Sequence, residues 1–261
     1  MDLGIAGRRV LVTGASQGIG RAIAQEFANE SCEVTVLARR KEELEKLVHE
    51  MGGQEKGHDF YVVDLMRDNA PTETSNHLLE KNGTYDIVVH NLGGTLNIRD
   101  PLSPWEDWQK VLRYNAGISI DMNKVLVPRM QEQNWGRIVN ISSLSAKHLR
   151  GCGPYGAAKA FLDAYTQVMG KSLAKSNIIV SAVSPSSIYA PGGHWDPEKY
   201  SGEEKEKFLV KRADMMKHYC PRGKLGEAKD ISGLVVFLCS EKANMCGSGV
   251  YPLGQHEVMG L

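Results

Sequence analysis

Two serines, a tyrosine and a lysine near the middle of the 261-residue chain have the types and spacing needed to move a proton. Ser142 and Ser143 close the run GRIVNISS, and Tyr155 and Lys159 follow in YGAAK, in the pattern S-S-(x11)-Y-x-x-x-K. Side chains four residues apart lie on one helical face, which would bring the Lys159 ammonium close to the Tyr155 phenol. A free phenol titrates near pH ~10, and an adjacent cation favours the phenolate and lowers that value. Tyr155 could then exchange a proton near neutrality, while a serine hydroxyl at the strand end hydrogen-bonds a carbonyl oxygen. YxxxK alone occurs in many helices, so the inference depends on what surrounds it.

The first such neighbour is the turn TGASQGIG, Thr13 to Gly20, which follows the apolar run RRVLVT. At a strand-to-helix turn the helix N-terminus offers unpaired N–H groups and the positive end of its dipole to an anion. A pyrophosphate can rest there only if bulky Cβ groups are absent. Gly14 suits the tight turn, and Gly18 and Gly20 suit close approach of backbone to ligand and of helix to sheet. Ser16 adds a hydroxyl, and Gln17 and Ile19 complete the cofactor-contacting set at the helix head. The spacing is GxxxGxG, which differs from the general GxGxxG fingerprint. The second strand ends Leu37-Ala38-Arg39-Arg40, where an NAD site would carry an acid for the ribose 2′-hydroxyl. Arginine at this place suits a 2′-phosphate, so Arg39, with Arg40 beside it, indicates NADP(H) unless the pair is only a solvated start to the next helix.

The elements that must hold these residues are legible as apolar, β-branched runs at 8–13, 32–38, 60–63, 85–91, 136–142, 177–184 and 249–253. The runs are nearly continuous, as expected for strands covered on both faces of a parallel sheet. Helical periodicity lies between them, for example Leu44, Leu47, Val48 and Met51, or Ile231, Leu234, Val235 and Leu238. Alternating strands and helices predict an α/β, doubly wound parallel sheet of about seven strands with helices on both faces. The whole chain, 1–261, reads as one domain, with a charged, Pro/Gly-bounded excursion over about 191–223 as a substrate lid.

Charge excludes some partners. Lys plus Arg and Asp plus Glu both number 31, which offers no field for nucleic acid or an anionic membrane surface. The N-terminal stretch lacks a signal-peptide layout and no run approaches a membrane span, so a soluble, cytoplasmic protein is expected. Cys32, Cys152, Cys220, Cys239 and Cys246 are scattered without CxxC or Cys/His ligand spacing, so they read as reduced thiols and no metal site is expected.

In combination, TGASQGIG, Asp64 in VVDL, NLGG at 91–94, Asn115 in RYNAG, GRIVNISS, YGAAK and SPSSIYA at 184–190 resemble the short-chain dehydrogenase/reductase family over almost the whole chain. The resemblance implies a Rossmann fold and a catalytic set of Asn115, Ser143, Tyr155 and Lys159. In it Tyr155 is the acid/base, Lys159 tunes it and holds the nicotinamide ribose, Ser143 orients the substrate carbonyl, and Asn115 anchors a water in a proton relay. Counting back from Tyr155 by the commoner family interval gives Ser142 instead. The resemblance also places Asp64 and Leu65 at the adenine, Asn91 and Gly93 along the cofactor cleft, and Pro185 and the Ile188 backbone near the nicotinamide. It departs from the family where Pro185-Ser186 replaces PG and where GQHEVMGL replaces a C-terminal DGG. Helical segments at 105–130 and 155–173 match those the family uses to dimerise and tetramerise, so a homotetramer or dimer is expected.

The implied activity is NADP(H)-dependent interconversion of a carbonyl and a secondary alcohol on a small molecule. Alternatives are a 3-oxoacyl-[acyl-carrier-protein] reductase and a non-catalytic NADP(H)-binding sensor. Arg99, Lys147, His148, Arg150, His194 and Trp195 near the expected mouth suit a polar or anionic carbonyl compound, or are solvated loop charges.

Overall fold

The computed structural model of the chain describes residues 1–148 and 153–254. In chain order the elements are β1 (Arg9–Thr13), α1 (Gly18–Asn29), β2 (Glu33–Ala38), α2 (Lys41–Glu50), β3 (Asp59–Val62) and α3 (Ala70–Asn82). Next come β4 (Ile87–His90), α4 (Trp105–Leu112), α5 (Ile118–Glu132), β5 (Gly136–Ile141), α6 (Ser145–His148) and α7 (Gly153–Leu173). The remainder is β6 (Ile178–Pro185), β7 (Ile188–Tyr189), α8 (Gly202–Tyr219), β8 (Gly226–Glu227), α9 (Ala228–Leu238) and β9 (Val250–Leu253).

Seven strands form one sheet in the order β3-β2-β1-β4-β5-β6-β9, and every neighbouring pair is parallel. The expected strands all occur within two residues of their sequence limits. Strand order reverses between β1 and β4, where two adjacent strands send their connections to opposite sides and leave a crevice at their carboxyl ends.

The continuous apolar runs arise because both sheet faces are covered. Val10, Val12, Val34, Val36, Ile87 and Val89 pack with α1, α2 and α9, whereas Leu11, Leu37, Val88 and Ile138 pack with α3 and α5. The period of two has a chemical consequence on the second face. Beyond Val88 and Ile138 the same alternation points His90, Asn140 and Ser142 toward α5 and α7, so this face turns polar as it nears the carboxyl edge.

Two segments differ from the sequence expectation. The stretch expected as one helix over 105–130 is interrupted by a π-helical turn, Arg113–Gly117, between α4 and α5. Such a turn inserts an extra residue into the helical ladder and re-aims a side chain, here that of Asn115. The 191–223 excursion carries an 18-residue helix, α8, preceded by a short 3-10 turn at Pro197–Lys199. Among the described residues no helix is long and apolar enough to cross a membrane.

Candidate active site

The glycine turn has the conformation its composition suggests. Gly14 and Gly18 both have positive φ, +67° and +63°, which side-chain-bearing residues rarely adopt. Gly20 is required for packing: a Cβ there would lie 2.4 Å from Asn91 Nδ2 and 2.6 Å from the Gly14 carbonyl oxygen. Asn91 is the clamp, with Nδ2 donating to the Thr13 and Gly14 carbonyls at 3.2 and 3.1 Å. Thr13 completes it by accepting the Asn91 N–H at its hydroxyl at 3.0 Å. Sequence reading missed Thr13, whose hydroxyl ties the ends of β1 and β4 together at the switch point.

Beside this turn lies a cleft of about 380 Å³ lined by Gly14, Ser16, Gln17, Arg39, Arg40, Asp64 and Leu65. These are seven of the residues expected to meet the cofactor. Leu37, Leu92, Tyr114 and Ile118 also line it and fall outside that expected set, although Leu92 lies in NLGG and Tyr114 in RYNAG. Arg40 reaches back over the turn, its Nη2 donating to Ser16 Oγ at 3.0 Å and to Gln17 Oε1 at 2.6 Å. Arg39 stays exposed at the rim and lies close enough to Tyr114 to act on its hydroxyl. Burial pushes the Tyr114 pKa up, and the positive charge of Arg39 works against that rise.

The proton-moving groups gather at the carboxyl ends of β4 and β5. Lys159 is 2% exposed, and its Nζ donates to the Ile141 carbonyl at 2.7 Å. The same Nζ lies 5.8 Å from the centre of the Tyr155 ring, and Tyr155 is half-buried. A Cβ on Gly93 would be 2.7 Å from both Lys159 Nζ and Asn115 Oδ1, so Gly93 admits these two side chains to one spot. Asn115 Nδ2 donates to the Gly94 and Val111 carbonyls, both at 2.8 Å, and its Oδ1 accepts the Gly94 N–H at 3.0 Å. Burial lowers the Lys159 pKa to about 8, against which the negative charge of Asp163 acts.

The two serines part company. Ser143, half-buried beyond the end of β5, accepts the Ser145 N–H at its hydroxyl at 3.2 Å. Ser142 is buried, bonds the Val183 carbonyl through its N–H at 2.7 Å, and turns its hydroxyl toward Asp163 on α7. Asp163 is a site neighbour that sequence reading missed, although its spacing of four from Lys159 was visible.

Pro185 ends β6, and its carbonyl accepts the Leu144 N–H at 3.0 Å. Ile188 lies in β7, paired with Gly226 of β8. The following loop returns to the glycine turn: Gln17 Nε2 donates to the Gly192 carbonyl at 3.2 Å, and Asp196 accepts the Gly192 N–H at 2.6 Å. Past it, Trp195 packs edge-on to His194, with ring centroids 4.8 Å apart, and Phe208 of α8 stacks on Tyr200 at 4.4 Å. Burial lowers the His194 pKa, helped by the charges of Arg99, Lys211 and Lys199. Of the basic and aromatic residues expected at the mouth, Arg99, His194 and Trp195 therefore come together, while Lys147 of α6 acts on Asp163. Arg150 and Cys152 lie outside the described residues. Burial raises the Cys32 thiol to about 12 and that of Cys239 still further, which suits inert core thiols.

A parallel sheet reversing between β1 and β4, with a glycine turn at the reversal and a lysine-backed tyrosine at the adjoining strand ends, defines a Rossmann-type oxidoreductase. The chain belongs to the short chain dehydrogenase family, whose model matches residues 8–197. A 3-oxoacyl-[acyl-carrier-protein] reductase of Thermotoga maritima is 31% identical over 241 residues, covering 92% of this chain and 93% of that protein. L-xylulose reductase of Mus musculus is 30% identical over 260 residues, 97% of each. The crystal structure of L-sorbose reductase from Gluconobacter frateurii, complexed with NADPH and L-sorbose, superposes with a TM-score of 0.88 at 26% identity over the full length of both chains.

Proposed function

We propose that this chain is an NADP(H)-dependent oxidoreductase that interconverts a carbonyl and a secondary alcohol, with Tyr155 as the group that gives and takes the proton. The observation that carries the reading is the buried Lys159 ammonium lying beside both the Tyr155 ring and Asn115, next to the cleft at the glycine turn. The cleft fits a phosphorylated dinucleotide. Its lining includes bare backbone at Gly14, and Arg39 and Arg40 stand on its wall with no acid at the end of β2. Arg39 and Arg40 would hold the 2′-phosphate, Ser16 with the N–H groups of Gln17, Gly18 and Ile19 the pyrophosphate, and Asp64 and Leu65 the adenine. Asn91, Gly93, Pro185 and Ile188 would flank the nicotinamide half.

When bound, the dinucleotide supplies or accepts a hydride. In reduction, Tyr155 donates its proton to the carbonyl oxygen as negative charge develops there, and in oxidation it removes the proton from the alcohol. Lys159 stabilises the phenolate left behind and hydrogen-bonds the cofactor ribose. Ser143 hydrogen-bonds the same substrate oxygen; its half-buried place beyond β5 suits this better than the buried Ser142. Asn115 commits both amide hydrogens to backbone carbonyls, so it would anchor a relay water through an acceptor oxygen.

On the substrate side, Arg99 and His194 with the aromatic rings of Trp195, Tyr200 and Phe208 favour a polar or anionic carbonyl compound under a lid formed by 191–223. Trp105 on α4 and Phe161 and Val168 on α7 leave apolar surface exposed, which supports a homotetramer or dimer built on these helices. Free cysteines suit a reducing, cytoplasmic setting. The test is NADPH oxidation over a panel of sugar-like ketones, 3-oxoacyl thioesters and neutral ketones of equal size, with NADH run in parallel. No oxidation of either cofactor by any carbonyl, despite binding, would favour a sensor and defeat the reading.

A further inference from the structure

Tyr155, Lys159 and Asp163 follow one another at four-residue intervals along α7, so the two charged groups share the face that meets the sheet. Lys159 and Asp163 are both buried, at 2% and 9% exposure. An ammonium has three hydrogens to place, and the one bond found for Lys159 among the described residues goes to the Ile141 carbonyl. Asp163 Oδ1 and Ser142 Oγ are each buried without a partner at bonding distance among the described residues. Ser142 nevertheless stands near enough to favour the carboxylate, as do the charges of Lys159 and Lys147.

A carboxylate is a costly residue to enclose here, because desolvation of an ion amounts to several kcal/mol and an apolar side chain packs as well. The groups around Lys159 and Asp163 come from α6, α7, β5 and the π-turn. From α7 itself the ionisable groups are Tyr155 and Lys159, and α6 contributes Lys147. β5 contributes the Ile141 carbonyl, Ser142 and Asn140, and the π-turn contributes Asn115, all neutral. Among the described residues Asp163 is the negative group acting on Lys159.

We propose that Asp163 is a positioning residue for the reaction, acting through Lys159: it keeps that ammonium charged and directed at the cleft, and Ser142 favours the carboxylate from the sheet side. This rests on the role assigned to Lys159 above. It also gives Ser142 a task distinct from that of Ser143. The chain places one serine under the helix beside the carboxylate and the next at the substrate.

The experiment is the pH profile of kcat for alcohol oxidation at saturating NADP⁺, from pH 6 to 10.5, for the wild-type enzyme, Asp163→Asn, Asp163→Glu and Ser142→Ala. Loss of the carboxylate lets Lys159 release its proton at lower pH. The alkaline limb of Asp163→Asn should move down by about one pH unit, a typical effect of one nearby opposite charge. Asp163→Glu should restore most of it, and Ser142→Ala should move the limb in the same direction by less. NADP⁺ affinity at pH 7 should stay within about twofold, since a fall of about one unit from about 8 still leaves roughly half of Lys159 charged there. A uniform fall in kcat with an unmoved limb in Asp163→Asn overturns the proposal; should that variant fail to fold, an unmoved limb in Ser142→Ala does so. Tyr155→Phe and Lys159→Met run alongside separate the two readings. If both keep turnover, the assigned chemistry fails; if both lose it while the Asp163→Asn limb stays in place, only the role of Asp163 fails.

Discussion

Arg40 Nη2 donates to Gln17 Oε1 at 2.6 Å, tying the second residue after β2 to the N-cap of α1 across the phosphate turn. Gln17 in turn donates to the Gly192 carbonyl at 3.2 Å. One glutamine thus joins Arg40, one of the two arginines expected near the 2′-phosphate, to the first loop of the lid, and the site is closed from both sides by polar contacts that a ligand would adjust.

Arg39→Ala and Arg40→Ala should each raise KM for NADPH by roughly 10- to 100-fold, the range expected for one charge-assisted hydrogen bond of about 1.5–3 kcal/mol. KM for NADH should change far less, since that cofactor has no 2′-phosphate. Steady-state kinetics with both cofactors checks this, and equal changes for both would remove the arginines as the source of preference.

Tyr155→Phe should lower kcat by about 100-fold or more, the usual contribution of a positioned proton donor, and leave NADPH affinity close to that of the wild type. Ser143→Ala should cost about 100- to 1,000-fold in kcat if its hydroxyl supports the developing oxyanion. Pre-steady-state turnover with fluorescence titration of NADPH separates chemistry from binding in both variants.

His90 predicts an acid-sensitive fold. It is fully buried, its Nε2 lies 2.8 Å from Asn123 Oδ1, and desolvation lowers its pKa from 6.5 to about 4. Between those values the unfolded chain binds the proton that the folded chain refuses. Stability is therefore complete above pH 6.5 and declines as pH falls toward 4, by about 3 kcal/mol over the whole interval. His90→Gln, which keeps a donor for Asn123, should flatten that dependence in urea unfolding measured at pH 7 and pH 4.5. An equally steep dependence in the variant would assign the acid sensitivity elsewhere.

Gly20→Ala should destabilise by about 1–3 kcal/mol, because the added methyl meets the Asn91 amide and the Gly14 carbonyl and the turn must shift. At this chain length each kcal/mol corresponds to roughly 2–4 °C in Tm. NADPH binding should weaken together with Tm, which thermal melts with and without cofactor would show.

Local rules settled a large part of this molecule. The seven strands follow from continuous β-branched runs, since period and length are properties of the chain segment alone. The glycine turn, the two arginines after β2 and the Tyr155–Lys159 pair are equally local, because strand-to-helix turns and i,i+4 spacing need no knowledge of distant residues. Tertiary packing decided the rest. Asn115 is aimed by a π-turn that periodicity does not reveal, since an extra residue in the helical ladder is accommodated by contacts with α7 and with Gly94. Ser142 and Ser143 look alike in sequence, and only the sheet pleat separates the one facing Asp163 from the one at the strand mouth. Asp163 itself passes for a surface acid in the sequence, because burial is a property of what packs against a residue and not of its spacing.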